Sequence, residues 1–239
     1  MLQLNLIVSK TLTIRLMKNL IYLLLLSILT TSCIGSKKLL MIVNEKTSPE
    51  EVVTEEQDWL TINMENPEQS GNQCNQLNYY FIPALLYWEW NSTIACDIDP
   101  VFVRNYFEKA IYKAADSLGM RDILGNRKVT INLTDLPGKF LYENKGTTMI
   151  FIFAYSVSTL EGISPSRINL VAEYSIQNES ETTDEGQITV QNLEMPLPDI
   201  WNSTKKLTGK YLDKYKVEIE RMSTELVEEI ITASKKAPK

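Results

Sequence analysis

Residues 17–33, MKNLIYLLLLSILTTSC, constrain the fold more than any other stretch, because they decide how much of the chain remains to form a globular unit. The segment has a cation at Lys18, an apolar run from Leu20 to Leu29, and small polar residues before Cys33. This order is typical of a secretory signal. A ten-residue helix spans about 15 Å against a hydrocarbon core of roughly 30 Å, so the run is too short to span a bilayer comfortably.

The cysteine after the small residues resembles the lipobox of bacterial lipoproteins, although Thr30 stands three positions before it, where that family usually has Leu. The resemblance implies that the signal is removed and that Cys33 becomes the lipid-bearing first residue of the mature protein. It also implies a place in the bacterial cell envelope, and we expect the outer membrane, facing the periplasm. Two alternatives stay open: a cleaved signal with an incidental Cys33, or an N-terminal membrane anchor.

Residues 1–16 fit poorly with a signal that has its own Met17 and Lys18, so we expect translation to begin at Met17. Residues 1–33 carry three cations and no acid, and their removal leaves 21 Lys and Arg against 30 Asp and Glu, a net charge of −9. An acidic surface argues against nucleic acid as a partner. It also argues against electrostatic adhesion to anionic lipid, so the lipid on Cys33 would supply the membrane attachment.

The two remaining cysteines, Cys74 and Cys96, form an even pair in a chain that we expect to be exported. An oxidising compartment would permit a disulfide that closes a loop of about 22 residues and contributes roughly 3 kcal/mol in the chain-entropy model. Two free, partly buried thiols are the alternative, because the sequence does not supply the geometry of a bridge.

Composition divides the mature chain into a tether and a domain. Residues 34–76 are rich in charge and punctuated by Pro49 and Pro67, and they predict a flexible acidic tether in which Trp59, Leu60 and Ile62 form a single docking strand. Residues 77–239 predict one folded domain.

The domain is predicted to begin with a strand at residues 79–90, in which Pro83 marks an edge, a bulge or the strand's beginning. Trp88 and Trp90 share one face of it, either in the core or as an aromatic surface for a ligand. A helix is then predicted from Asp99 as N-cap and Pro100 at the first position to Gly119.

Period-two patterns predict strands at 128–133, 147–159 and 167–177, with a weaker strand at 186–193. A stripe of roughly heptad period predicts a final helix of about 30 residues from Trp201. Along this helix, Trp201 and Tyr215 are candidates for a ligand or partner surface, although packing against the sheet is the alternative for the whole stripe.

This order of elements predicts an α+β two-layer sandwich, with an antiparallel sheet of four to five strands, a short helix and a long C-terminal helix. In topology alone it resembles envelope transport and assembly lipoproteins, such as the lipopolysaccharide-assembly lipoprotein and the auxiliary lipoproteins of ABC transport systems. The resemblance transfers no functional residue, because fold analogy is weak evidence for function.

We expect no enzyme and no cofactor. The chain has no histidine, which removes Ser-His-Asp and Cys-His nucleophiles and His-ligated zinc, and it lacks the GxGxxG, GxxxxGK[ST] and GxSxG motifs. The pair Asp97 and Asp99 suits helix capping better than calcium binding. The expected function is a non-catalytic, lipid-anchored envelope protein that binds a protein partner or an amphipathic ligand. The alternative is an envelope glycan hydrolase with a carboxylate pair, for which the candidates are Glu89, Asp97, Asp99, Glu161 and Glu173.

Overall fold

A computed structural model describes residues 34–47, 57–64, 70–84, 86–151, 154–178, 181–199 and 202–236. Cys33 and the rest of the predicted signal lie outside the described residues. The compact unit runs from Gly35 to Lys239, so folded structure begins well before the predicted domain boundary at residue 77.

The fold is α+β, as the sequence predicts. The described residues form four helices, α1 (Ser36–Lys46), α2 (Pro100–Ser117), α3 (Met120–Leu124) and α4 (Thr204–Lys236). Its strands are β1 (Leu60–Met64), β2 (Gln73–Pro83), β3 (Tyr87–Asp97), β4 (Lys128–Asp135), β5 (Lys139–Ile150), β6 (Tyr155–Pro165), β7 (Leu170–Asn178), β8 (Glu181–Val190) and β9 (Leu197–Asp199).

The strands form two sheets where the sequence suggested one. Sheet A has the order β1-β4-β7-β8, and sheet B has the order β2-β3-β5-β6-β9. The β1–β4 pair is parallel and all the other pairs are antiparallel. In sheet A, β4 and β7 alternate buried apolar and more exposed residues, which is the pattern of a sheet covered on one face.

Residues 34–76, predicted as a flexible tether with one docking strand, contain helix α1, strand β1 and the start of β2, so the prediction is wrong for α1 and for the start of β2. Helix α1 buries Leu39, Ile42 and Val43, which recur at the spacing of one helical face. Strand β1 is the predicted docking strand, and it buries Leu60 and Ile62 against β4. These apolar patterns are short and surrounded by charged residues, so the composition of the segment did not indicate them. Residues 48–56 and 65–69 lie outside the described residues.

Helix α2 begins and ends where the sequence predicts. The Asp99 carboxylate accepts a hydrogen bond from the Val101 N–H at 2.9 Å, and Pro100 is the first helical residue. After the helix, Gly119 has φ +62°, in the left-handed region that glycine adopts without strain. The predicted capping role of Asp99 is therefore confirmed.

Helix α4 is the long C-terminal helix that the sequence predicts, and it has 33 residues. It contacts α1, α2 and α3 and strands of both sheets. Near its start, the Tyr211 ring lies 4.9 Å from the Phe140 ring of sheet B. Further along, Arg221 donates to the Gln191 carbonyl just after β8. The helix therefore packs along both sheets and supplies much of the core.

Two predicted single strands are hairpins instead. The chain turns between β2 and β3 within predicted strand 79–90, and between β5 and β6 within predicted strand 147–159. Strands normally end at turns rich in Gly, Asn, Asp or Ser, and neither turn contains one of these residues. Because both turns are apolar, each hairpin resembled one uninterrupted buried strand.

Candidate functional site: a projecting apolar β-arm

The outer halves of four strands of sheet B form the candidate site. We define the β-arm as residues 78–91 and 145–160, which comprise the outer parts of β2, β3, β5 and β6 and the two turns that join them. The inner halves of these strands form the base of sheet B, where Ile94, Phe140 and Tyr142 are almost completely buried. About six strand residues beyond the base give the arm a length of roughly 20 Å.

Large apolar and aromatic side chains are exposed on the arm. The exposed aromatic side chains are Tyr79, Tyr80, Phe81, Phe151 and Tyr155. The exposed aliphatic side chains are Ile82, Leu86, Met149, Val157 and Leu160. The most exposed of these are Tyr155 at 76%, Tyr79 at 59% and Phe151 at 58%. Single exposed apolar residues are ordinary on a protein surface, but a contiguous group of this size marks an interaction surface.

Trp88 and Trp90 lie on the arm face that continues the core-facing side of the base. The antiparallel register places Trp90 between Phe81 and Gly146, and Trp88 between Pro83 and Thr148. Both tryptophans are half-buried. The predicted aromatic face of this strand is therefore real, and it lies outside the closed core.

Trp90 is held in place by a glycine and a hydrogen bond. A Cβ on Gly146 would lie 2.3 Å from the indole Cζ2 of Trp90, so the ring lies directly across the glycine. The indole Nε1–H donates to the Asn144 Oδ1 at 2.9 Å. The orientation of the ring is therefore fixed by its own sheet.

Polar side chains connect the base of the arm to the start of α4. The Tyr142 hydroxyl donates to Glu161 at 2.8 Å, and the Thr204 hydroxyl donates to the same carboxylate oxygen at 2.8 Å. Burial, with a smaller contribution from the Glu161 carboxylate, raises the pKa of Tyr142, so this phenol stays protonated and remains a donor. The network ties the base of the arm to the long helix.

The opposite face of the arm carries its one acid. The Glu89 carboxylate accepts hydrogen bonds from the hydroxyls of Tyr80, at 2.6 Å, and Tyr87. These two hydrogen bonds lower the pKa of Glu89, and the hydrogen bond to Glu89 raises the pKa of each tyrosine. The arm has a single base, Lys145, which pairs with Glu143 at 3.9 Å. The arm is therefore nearly free of charge, with one acid and one base near neutral pH.

The backbone at the two turns is hydrogen-bonded. In the first hairpin, the Ala84 N–H donates to the Tyr87 carbonyl at 2.7 Å. In the second, the Phe151 N–H donates to the Ala154 carbonyl at 2.6 Å. The Ile150 N–H donates to the Leu86 carbonyl at 2.8 Å and joins the two hairpins. The hairpin tips are therefore side by side.

A disulfide joins β2 to β3 at the base of the arm. Cys74 and Cys96 are register partners, and their sulfur atoms are bonded at 2.08 Å. The loop that this bond closes contains the entire first hairpin. The cysteine pair that the sequence singled out therefore lies directly below the candidate site.

The other predicted surface residues have different outcomes. Tyr215 is wrong as a surface residue, because it is 1% exposed and its hydroxyl donates to the Pro137 carbonyl at 2.7 Å. Its position in the heptad stripe is that of a core residue of α4, which is the alternative prediction. Trp201 and the predicted lipidation site Cys33 lie outside the described residues.

The carboxylates proposed for a glycan hydrolase are distributed over the molecule. Glu89 and Asp97 are both in β3, eight residues and roughly 27 Å apart, and Asp97 pairs with Lys139 at 3.6 Å. Glu173 is in sheet A, whereas Glu161 is in sheet B. The register instead places Glu161 opposite Asp199, a pair that the sequence did not suggest. The backbone N–H and the side-chain amide of Asn202 donate to the Asp199 carboxylate.

Two clefts lie outside the arm. A polar cleft of about 560 Å³ contains two acids and two bases, Asp58, Asp116, Arg121 and Lys128. A smaller cleft of about 260 Å³ lies beside the start of α2. The described residues contain no cluster of three or more His, Cys, Asp or Glu side chains that could hold a metal ion. Within the described part of the chain, no helix is long and apolar enough to cross a membrane.

Comparisons of the chain with protein-family models, curated proteins and solved structures gave no match. Functional inference therefore depends on the arm itself. Sequence reasoning recognised Trp88 and Trp90 but missed the exposed residues of the second hairpin, because it treated residues 147–159 as a central strand. The missing turn signal within two long apolar runs is the feature that could have indicated them.

Proposed function

We propose that this protein is a non-catalytic component of the bacterial cell envelope that is held at the membrane by a lipid on Cys33 and binds an apolar or amphipathic partner through the β-arm. The observation that carries the proposal is the arm: among its described residues, ten large apolar side chains are exposed on four paired strands and at their turns. Covering such a surface with another apolar surface removes both from water and lowers the free energy.

Two further features support an exported binding protein. The disulfide between Cys74 and Cys96 suits an oxidising compartment. The aromatic face is also rigid, because Gly146 and Asn144 fix the Trp90 ring before any partner arrives. Preorganised aromatic side chains lose little conformational entropy on binding, which favours a binding role.

Attachment is tested by metabolic labelling with a radioactive fatty acid in a bacterial host. We expect the label on the unaltered protein and on the Cys74→Ala, Cys96→Ala double variant, and its complete loss from Cys33→Ala. Label that persists in Cys33→Ala would refute lipidation at this residue.

Binding by the arm is tested by photo-crosslinking in cells. A photoreactive phenylalanine derivative replaces Trp88 in one variant and Val217, 67% exposed on α4, in the matched control. We expect an adduct with an envelope protein or a lipid from position 88 and none from position 217. If position 88 gives no adduct with either class, the arm is not a binding element and the proposal fails.

A further inference from the structure

We propose that the two hairpin tips, defined by the described residues 83–84 and 86–87 of the first hairpin and 150–151 and 154–155 of the second, insert into the interfacial layer of a lipid bilayer. This inference rests on the proposed function, and it identifies the surface that covers the end of the arm as a membrane. Turns in water are usually built from Gly, Asn, Asp, Ser and Pro, and the sequences of the two tips contain just one residue of these types, Pro83.

Both tips are apolar at the positions where a soluble hairpin is polar. The first turn has the sequence PALLY and the second has IFIFAY. Leu86 and Phe151, the described residues at the two turns, are more than half exposed. Since the Ile150 N–H bonds to the Leu86 carbonyl, the tips form one continuous apolar end rather than two separate patches.

Behind the tips the arm carries aromatic side chains with polar groups, at the position where they would meet a headgroup layer. Aliphatic and Phe side chains occupy the end, and Tyr87, Trp88 and Tyr155 follow immediately behind them. Tyr and Trp concentrate at the headgroup level of membranes because their rings are apolar and their polar groups can reach water. Further towards the base of the sheet, Thr, Ser and Asn side chains stand among exposed apolar ones such as Phe81, Val157 and Leu160.

The two charges of the arm limit the depth of insertion. Glu89 lies two residues, or about 7 Å, behind Tyr87, and Lys145 lies five residues, or about 17 Å, behind Ile150. A depth of roughly 7 Å keeps both charges in the headgroup layer or in water, and it falls within the 5–10 Å to which interfacial proteins bury apolar groups. The hydrogen bonds of the turns also satisfy backbone groups that would be costly to bring unpaired into hydrocarbon.

The position of the predicted lipid provides a second line of support. Helix α1 begins at Ser36, so only two residues separate Cys33 from an ordered helix. A fully extended chain of three residues spans about 10 Å, which would hold the folded unit close to the membrane. Protein interfaces usually carry a polar, hydrogen-bonding rim, and the tips offer no charged group for one, so a bilayer fits them better than a protein groove.

The test places an environment-sensitive fluorophore on single cysteines in the full chain with Cys33→Ser, so that the N-terminal segment is common to every sample. Leu86→Cys reports on the tip and Val217→Cys on a remote exposed site. Phosphatidylcholine vesicles are added in 0.15 M and in 1 M NaCl. We expect a blue shift and quenching by a headgroup-depth nitroxide lipid at position 86 only, and the same shift at both salt concentrations because apolar burial, unlike charge attraction, is not screened.

Phe151→Asp combined with the Leu86→Cys label should abolish the shift, while Val217→Asp, which places the same charge at a remote exposed site, should retain it. Three results would overturn the inference: no shift at position 86, a shift that 1 M NaCl removes, or a shift that grows with protein concentration in the absence of vesicles, which would indicate a second copy on the arm. Failure here combined with a protein adduct at position 88 would leave the proposed binding function intact. Failure of both experiments would remove both proposals.

Discussion

The base of sheet B and the β-arm are built from the same four strands, yet apolar side chains are buried in the base and exposed in the arm. In the base, alternate residues such as Ile94, Cys96 and Tyr142 are buried. In the arm, the same strands carry apolar side chains on both faces and leave them exposed. Along β3, the alternating buried residues of the base end at Ser92, which is 1% exposed, and the arm begins beyond it.

This difference shows what an apolar run means in a sequence. An alternating strand indicates that the chain itself covers one face. A continuous apolar run indicates that both faces are covered, without specifying whether the cover belongs to the same chain. In the arm, large apolar side chains among the described residues of both hairpins are exposed, so the apolar run did not indicate burial within the described fold.

The largest expected effect comes from truncating one apolar side chain in each region. Ile94→Ala in the base should lower the free energy of unfolding by about 2–5 kcal/mol, because it leaves a cavity in a packed core. Val157→Ala, on the same face of the arm, should change it by about 0.5 kcal/mol or less. Equilibrium unfolding in urea measures both. Equal losses would mean that the arm is packed in the native protein.

The sequence predicted those elements whose signals are local. Asp99, Pro100 and Gly119 mark both ends of α2, and the alternation of Val129, Ile131 and Leu133 marks β4. The α+β class follows from the order of such elements. The division into two sheets depends on which strands pair, and pairing between distant segments leaves no local signal.

The site could be predicted only in part. Trp88 and Trp90 were recognised because two tryptophans share a face, but whether that face is covered depends on tertiary packing. Tyr215 illustrates the converse, since its helical spacing is the same whether the stripe faces a partner or the core. The hairpin tips were missed because turn prediction relies on polar residues, and a turn adapted to an apolar environment lacks them.

The disulfide at the base of the arm is expected to contribute to the free energy of unfolding. Replacing both cysteines, with Cys74→Ala and Cys96→Ala, should lower the free energy of unfolding by roughly 3 kcal/mol, because the bond closes a 22-residue separation in the unfolded chain. Denaturant unfolding with and without reductant measures the loss. Mass spectrometry after alkylation is the check: two free thiols in the unreduced protein would contradict the bridge.

A smaller effect is expected at Gly146, where the arm is tightly packed. Gly146→Ala places a methyl group against the Trp90 ring and 2.6 Å from the Ser158 carbonyl oxygen, so the indole has to move. We expect a loss of about 1–3 kcal/mol and a shift of the Trp90 indole N–H resonance as its bond to Asn144 breaks. Gly35→Ala, which meets no atom within 4 Å, is the control. An unmoved resonance would show that the ring is not fixed by the glycine.

The smallest effect concerns the acid of the arm. Hydrogen bonds from Tyr80 and Tyr87 lower the pKa of Glu89, so the folded arm favours the carboxylate more than an unfolded chain does. The resulting stabilisation is present above the ordinary glutamate pKa, near 4.3, and is lost as the pH falls through the lowered value. Amide exchange should therefore accelerate in the arm below about pH 4, before the base responds. Carbon NMR of the Glu89 carboxyl should show its pKa returning towards the ordinary value when Tyr80→Phe and Tyr87→Phe are combined. An unchanged pKa would mean that the two phenols do not hold this carboxylate in solution.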